Sequence, residues 1–215
     1  MAVRERFQVR GDGMAVGFRA DGRAGILSDE RGDSVVACPA DLLTALQHTL
    51  DHECGPAANA VLRSIGRRLG ESLAEKTQRE LAARHSAPLH DLSTAVIHAS
   101  LSSALANAGW GRADWDWTRH DRGLLEISVV NGPATMAANR TTSAGEPLLC
   151  GVFAGLVSRL TGESLDCLQT EIETPGVAPA RFVVALPERL TEVASAVRRS
   201  EPHDGIVELL ESVRA

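Results

Sequence analysis

The sequence predicts an α+β fold in which an antiparallel sheet carries helices on one face. Residues 110–130 and 164–186 each contain a pair of short alternating segments joined by turn residues. Period-two alternation is typical of half-buried strands, and a short turn makes the two strands that it joins antiparallel. Longer stretches with helical spacing lie before, between and after these pairs, and this order is typical of α+β domains.

Composition excludes several classes of protein. The chain has 215 residues, of which 44% are hydrophobic, so it can bury a core without disulfides or metals. A net charge of −6 and only 3% aromatic residues argue against a nucleic-acid partner, which would need a basic surface or stacking rings. No stretch is apolar for the length of a membrane span, so we expect no membrane insertion.

The N terminus and the cysteines predict a cytoplasmic protein. The first residues lack the apolar core of a secretory signal. The four cysteines are far apart and form no C-x-x-C pair, so we expect reduced thiols, with Cys150 and Cys167 as small buried apolar residues.

The first half of the chain predicts short strands followed by helices. Residues 1–37 contain brief apolar pieces between turns, and Pro39 begins a first helix. A second helix over about 57–83 has an apolar stripe at spacings of three and four, made by Val61, Leu62, Ile65, Leu69 and Leu73. Gly66 and Gly70 lie beside this stripe, and two such glycines indicate that another backbone packs closely there.

The second half supplies the predicted sheet. A helix over about 92–108, with Asp91 as its N-cap, precedes a β-hairpin at 110–130. Residues 131–145 are predicted as a loop and 147–161 as a helix that is apolar on most sides, buried in the fold or in an oligomer interface. Strands at about 164–172 and 180–186 and helices at about 188–199 and 204–214 complete the chain.

No motif assigns a catalytic residue. The chain has no G-x-S-x-G elbow, although a Ser/His/Asp set that includes His98 or His120 stays open. His48 and His52 have the spacing of two metal ligands on one helix face, but a solvated helix face is the better explanation. Trp110, Trp115 and Trp117 lie within eight positions, where they line a ligand pocket, form an interface or pack in the core.

Three segments between residues 57 and 182 resemble the V4R domain family, a relative of the TRAPP and haem-NO-binding folds. They are 61–70 (VLRSIGRRLG), 108–111 (AGWG) ahead of a strand pair ending in 128–133 (SVVNGP), and 151–163 (GVFAGLVSRLTGE). The resemblance implies helices packed on a four-stranded antiparallel sheet, an apolar pocket and often a dimer. It divides the chain into an extension (1–56), the V4R-like domain (57–186) and C-terminal helices (187–215).

The resemblance also predicts site residues and excludes cofactors. We expect a pocket for an apolar small molecule, lined by Trp110, Trp115, Trp117, Phe153 and Leu156. Zinc-binding members use a cysteine and a Glu-x-x-Cys-x(7)-Cys motif, and counting along the chain places Glu146, Gln169, Ile172 and Ala180 there. Isoleucine and alanine cannot bind zinc, so we expect no metal. Haem-binding relatives use a Tyr-x-Ser-x-Arg clamp, and a chain without tyrosine predicts no haem.

The same region is similar to a family of accessory proteins of bacterial cellulose synthesis and export, on the helix from Gly66 to Ala74 and the turn Gly109-Trp110-Gly111. Three hypotheses therefore stay open. The first is a non-enzymatic sensor or carrier that acts as a homo-oligomer and passes a signal to a protein partner. The second is an oligomeric scaffold assembled through the helix at 147–161, the hairpin and the C-terminal helices. The third is an enzyme linked to tetrapyrrole vinyl reduction, although no nicotinamide or flavin loop is visible.

Overall fold

The structure is a computed structural model that describes residues 6–8, 17–29, 32–133 and 146–213. Six α-helices lie within these residues, and their bounds match the predicted helices to within a few positions. They are α1 (Ala40–Cys54), α2 (Ala58–His85), α3 (Thr94–Asn107), α4 (Pro147–Thr161), α5 (Pro187–Arg198) and α6 (His203–Ser212). The predicted loop at 131–145 lies outside the described residues from position 134 onward.

Eight described strands form two antiparallel sheets. The first sheet is small, with β1 (Arg6–Gln8), β2 (Gly17–Asp21), β3 (Ile26–Ser28) and β4 (Ser34–Val35) in sequence order. The second contains β5 (Arg112–Asp116), β6 (Leu125–Val130), β7 (Asp166–Glu171) and β8 (Ala180–Ala185), in the order β5-β6-β8-β7. This four-stranded antiparallel sheet with packed helices confirms the predicted α+β fold.

The first face of the large sheet carries the main core. Strand β6 alternates buried and partly buried residues, and Leu125, Ile127 and Val129 point to one side. Helix α3 packs against β5, and α4 packs against β7 and β8 with all its residues from Leu149 to Val157 buried. The chain itself therefore covers the apolar sides of α4. Of the two predicted positions for this helix, buried in the fold or buried in an oligomer interface, the structure shows the first.

The second face of the sheet is covered as well, so the prediction of helices on one face is wrong. Val183 and Ala185 of β8 lie in a second apolar cluster with α5 and α6. Strongly amphipathic α5 and α6 bury Leu190, Val193, Ile206 and Leu210 against this face. The strand alternation had shown one apolar face clearly, but the second face is mixed, with Glu126 and Arg181 beside its valines.

Helix α2 buries a different stripe from the one that the spacing predicts. Its buried residues are Ala58, Leu62, Gly66, Gly70, Ala74, Thr77 and Leu81. Small residues fill this line because α4 lies directly against it. Val61, Ile65 and Leu69 of the predicted stripe are instead exposed, by 36%, 36% and 44%.

The close approach expected at Gly66 and Gly70 is confirmed. A Cβ at Gly66 would lie 2.1 Å from the carbonyl oxygen of Leu148 in α4. The contact is reciprocal, since a Cβ at Gly155 would lie 2.0 Å from the carbonyl oxygen of Arg67. Two glycines on each helix therefore let the two backbones touch.

The start of α3 and the attachment of the small sheet to α2 are set by single side-chain contacts. The N-cap of α3 is Ser93, whose hydroxyl accepts a hydrogen bond from the Val96 amide, rather than the predicted Asp91. Asp91 ends a short 3-10 turn, Leu89–Asp91, that precedes the helix. The small sheet is linked to α2 by an ion pair between Asp29 and Lys76.

Candidate functional site

Four aromatic rings form a cluster in the core beside the hairpin. Trp115 stacks on Trp117, with ring centroids 6.3 Å apart and planes at 19°. The edge of Phe153 meets Trp115 at 5.7 Å, and Phe153 meets Phe182 of β8 at 5.1 Å. The strand alternation of β5 turns Ala113 and Trp115 inward while Arg112, Asp114 and Asp116 stay exposed, which explains why these rings point to the core.

The two tryptophans of this cluster carry buried hydrogen-bond donors without acceptors. The indole Nε1 of Trp115 and that of Trp117 are both inaccessible to solvent, and neither has a partner among the described residues. An unsatisfied buried donor costs about 1–3 kcal/mol, and buried indole N–H groups are usually bonded. Two such donors on stacked rings therefore call for a specific explanation.

The structure places all five predicted pocket residues in or against the same core. Trp115, Phe153 and Leu156 are buried within it, and Trp110 and Trp117 pack against it. The ring contacts of the aromatic cluster do not include Trp110, which lines a separate cavity. That these five residues contact a ligand stays a prediction.

The cavity lined by Trp110 has a volume of about 60 Å³ and lies between α1, α2 and the start of α4. Its apolar wall is built mainly from leucines and prolines, including Leu43, Leu46, Leu62, Leu149 and Pro133. Its polar groups come from Thr44, Gln47, His48 and Asp51 of α1 and from Glu146. An apolar wall with a few placed polar groups is the usual composition of a ligand pocket.

Glu146 is the unusual member of this cavity. The residue is only 8% exposed, and its Oε2 atom has no hydrogen-bond partner among the described residues. Burial, with a smaller contribution from the charge of Glu173, raises the pKa of Glu146 from 4.5 to about 7. The backbone holds the residue in place, because its amide donates to Oε1 of Gln169. A carboxyl group near neutrality is thus presented to the cavity.

Backbone amides of the segment after β6 hold Glu173, whose charge acts on Glu146. Its carboxylate accepts hydrogen bonds from the amides of Asn131 and Gly132, at 2.8 and 3.1 Å. Gly132 itself leaves room for Glu146, because a Cβ there would lie 3.0 Å from Oε1 of that side chain. In the sequence, Glu146 is singled out only as a position that the V4R resemblance aligns with a zinc ligand, and nothing in the chain marks it as a buried carboxyl group at a cavity.

The zinc positions implied by the V4R resemblance do not fit a metal. Glu146 and Gln169 are adjacent, but Ile172 is 51% exposed and Ala180 lies in the core. Neither of these last two side chains has a donor atom. His48 and His52 do not make an alternative site, since within the described ranges no three His, Cys, Asp or Glu side chains cluster suitably.

The buried cysteines have the environment of structural thiols. Cys150 and Cys167 are 2% and 0% exposed, and the Cys167 thiol donates to the carbonyl oxygen of Leu168 at 3.9 Å. Burial, together with the neighbouring Cys150 thiol, raises the pKa of the Cys167 thiol well above its usual value. Solvent cannot reach either sulfur, so their predicted role as small buried apolar residues is confirmed.

Neither histidine considered for a Ser/His/Asp set hydrogen-bonds a serine among the described residues. His98 pairs with Asp114 at 3.0 Å, and a ring nitrogen of His120 lies 2.7 Å from the carbonyl oxygen of Trp117. A third histidine, His203, is buried on the second face of the sheet between Glu126 and Thr170, at 2.9 and 2.7 Å. Arg119 bonds the same Glu126, so this network fixes α6 to the sheet.

Comparison with known proteins supports the fold. No protein-family model and no curated protein matches the sequence. The chain is similar in structure to the phenol-responsive sensory domain of the transcription activator PoxR, solved with phenol, with a TM-score of 0.63 at 14% identity, covering 86% of this chain and 92% of that one. A trafficking protein particle complex subunit 3 from Naegleria fowleri, covalently bound to palmitic acid, matches with a TM-score of 0.42 at 15% identity, covering 68% of this chain and 94% of that one.

The fold class is that of the PoxR sensory domain, in which helices pack on a four-stranded antiparallel sheet. The likeness in sequence is too low to carry a function with it. The predicted similarity to the accessory proteins of bacterial cellulose synthesis stays a prediction. Among the described helices, none has both the length and the apolar character that crossing a bilayer requires.

Proposed function

We propose that this chain is a ligand-binding domain, a sensor or carrier for a small, mainly aromatic molecule with an oxygen atom. The ligand would enter the aromatic cluster and contact Trp115, Trp117, Phe153 and Leu156, whereas Trp110, the fifth predicted residue, lines a separate cavity. The observation that carries the proposal is the pair of buried indole N–H groups that have no acceptor among the described residues.

The chemistry of the cluster favours binding over catalysis. Ring edges and faces from Trp115 and Phe153 supply dispersion contacts for a flat ligand. The indole groups donate hydrogen bonds, but an indole N–H is a donor only and does not act as an acid, base or nucleophile at neutral pH. A ligand oxygen that accepts a hydrogen bond from either donor would recover the free energy that the burial of that donor costs.

The fold supports the same conclusion. The PoxR domain with this architecture is phenol-responsive and was solved with phenol. Phenol is a ring with one oxygen, and it therefore matches both the apolar wall and the donors. We choose phenol as the probe for this chain for that reason.

We further propose that the protein works as a homo-oligomer through the exposed line of α2. Val61, Ile65 and Leu69 form an exposed apolar line on a helix whose other sides are polar or packed on α1, α3 and α4. A second copy of the chain would cover it symmetrically, as cyclic dimers do. Ligand occupancy would then reach a protein partner through α2, because α2 packs on α4, which holds Phe153.

The test uses phenol, with toluene as the matched probe that lacks oxygen. Calorimetry of wild type, Trp115→Phe and Trp117→Phe measures affinity, because phenylalanine keeps a ring but removes the N–H. We expect each variant to bind phenol about tenfold more weakly, the equivalent of one hydrogen bond, while toluene binding changes little. Trp110→Phe is the control. Phenol affinity that is unchanged in both variants, or a wild type that does not bind phenol, would contradict the proposal.

A further inference from the structure

The cavity at Glu146 is separate from the aromatic cluster. Of the five predicted pocket residues, Trp110 alone lines it. Its walls come from α1 and from the starts of α2 and α4, whereas the stacked tryptophans lie on the hairpin under α3 and α4. A site here is distinct from the proposed phenol site at Trp115 and Trp117.

The ionisable groups in and beside the cavity are mainly acidic. Glu146 and Asp51 both line the cavity, and the carboxylate of Glu173 lies close enough to affect Glu146. His48 is the cavity side chain that can carry a positive charge, and it is exposed at the rim. Such a lining repels an anion and attracts a hydrogen-bond donor or a cation.

Glu146 is a buried and anchored carboxyl group that is positioned to bind a ligand. It is more than nine-tenths buried, its backbone amide is anchored on Gln169, and Gly132 leaves space beside the carboxyl group. Its unpartnered Oε2 is an acceptor that the described chain does not satisfy. A buried carboxyl oxygen without a donor is costly, and in native structures such a group calls for a specific explanation.

We infer that this cavity is a second ligand site, which takes a small apolar molecule that carries a hydroxyl or ammonium donor. The donor bonds Oε2 of Glu146, and the apolar body lies against Leu62, Leu149 and Trp110. About four or five waters would fill the same space, so the ligand has a similar number of heavy atoms in its buried part. An ammonium group also pairs with the ionised carboxylate, whereas a hydroxyl group bonds the carboxyl in either protonation state.

The test compares benzylamine, benzyl alcohol, toluene and benzoate, which share a ring and differ in the polar group. The three tryptophans give three indole N–H signals in a ¹H–¹⁵N spectrum, assigned with Trp→Phe variants. We expect benzylamine and benzyl alcohol to shift the Trp110 signal and to bind at least about tenfold more tightly than toluene. Benzoate should leave the Trp110 signal unmoved.

Glu146→Gln removes the charge and keeps the shape of the side chain. We expect it to weaken benzylamine binding about tenfold and toluene binding hardly at all, while Glu163→Gln, at an exposed position after α4, has no effect. Unchanged benzylamine affinity in Glu146→Gln, or benzoate binding as tight as that of benzylamine, would overturn the inference. So would probes that shift only Trp115 and Trp117, because they would then occupy the aromatic cluster.

A second measurement needs no variant of Glu146. In the wild type, benzylamine affinity should rise from pH 6 to pH 8 as the carboxyl group ionises, while benzyl alcohol affinity stays level. The groups that face Glu146 are His48 and Asp51 from α1 and Glu173 from the segment after β7, so the series is repeated in His48→Gln to exclude the imidazole. A flat benzylamine profile in both proteins would overturn the inference. The inference of a second site at Glu146 would stand even if phenol did not bind at Trp115.

Discussion

Gly70 of α2 lies so close to Val152 of α4 that a Cβ on the glycine would stand 2.0 Å from the valine carbonyl oxygen. Real Cβ atoms do not approach backbone oxygens to this distance. The two helices therefore depend on glycine for their separation, and α4 in turn holds Phe153 over the sheet.

We predict that Gly70→Ala destabilises the fold although alanine is the better helix former. The added methyl group would force α2 and α4 apart, and overpacking of this kind costs about 1–3 kcal/mol or more. Chemical denaturation measures the free energy of unfolding. Gly205→Ala in α6 is the matched control, since its Cβ meets nothing within 4 Å and helix propensity favours alanine by about 1 kcal/mol. Equal effects of the two substitutions would contradict the close packing.

We predict that Glu146 makes stability fall as pH rises. Its pKa is raised from 4.5 to about 7 in the folded protein, so between these values the folded chain holds a proton that the unfolded chain has released. The unfolded state binds fewer protons in this window, and its free energy therefore drops relative to the folded state. A shift of this size corresponds to roughly 3 kcal/mol lost between pH 4.5 and pH 7.

The measurement is the unfolding free energy of wild type and Glu146→Gln from pH 4.5 to pH 8. We expect the difference between them to move in favour of the variant as pH rises and to level off above pH 7. Glu163→Gln should follow the wild type throughout. Parallel curves for wild type and Glu146→Gln would show that the carboxyl group is not buried in its neutral form.

We predict that Arg63 contributes to stability by joining α2 to the edge of the sheet. One nitrogen of its guanidinium group donates to Oδ1 of Asp166 and to the carbonyl oxygen of Cys167, both at 2.7 Å. Burial alone would lower the pKa of Arg63, but the neighbouring Cys150, Asp166 and Cys167 together raise it above its usual value, so the guanidinium group keeps its charge. Arg63→Ala should cost about 1–2 kcal/mol in denaturant unfolding. Arg68→Ala, exposed on the same helix, should cost almost nothing, and equal losses would contradict this role.

We predict that the exposed line on α2 mediates self-association. Ile65→Glu or Leu69→Glu would place a charge in the proposed contact, so the oligomer should dissociate while circular dichroism stays native. Ser64→Glu adds the same charge on a different, exposed line of the helix and should leave the oligomer intact. Light scattering and native mass spectrometry measure the assembly. A wild type that is monomeric at high concentration, or variants that keep the native oligomer, would remove this face from the interface.

The sequence by itself determined the elements of secondary structure and the class of the fold. Helix α4 is observed at the predicted bounds, 147–161, because Pro147 and Gly162 limit it and apolar residues lie on most of its sides. The alternation around Trp115 placed this ring correctly on the inner face of β5. These features are local, since they depend on spacing and on end residues that the linear chain displays directly.

The tertiary structure alone decided which faces are buried and where the polar groups meet. Val61, Ile65 and Leu69 read as the core stripe of α2, yet they are exposed, because α4 approaches along the line of Gly66 and Gly70. A line of glycine and alanine has little hydrophobicity, so periodicity ranks it below a line of leucine and isoleucine. Because the backbones of α2 and α4 approach so closely, the line of glycine and alanine is buried and the line of leucine and isoleucine is exposed.

The candidate sites also combine features that the sequence displays with features that only the folded structure decides. The tryptophans could be found from their clustering in the sequence, but the absence of acceptors for their N–H groups among the described residues depends on every neighbour of Trp115 and Trp117. Glu146 and Glu173 are separated by 26 intervening residues of chain and influence each other only because the turn at Gly132 and the end of β7 meet. Burial and electrostatic coupling are properties of three-dimensional surroundings, and they arise only when the chain has folded.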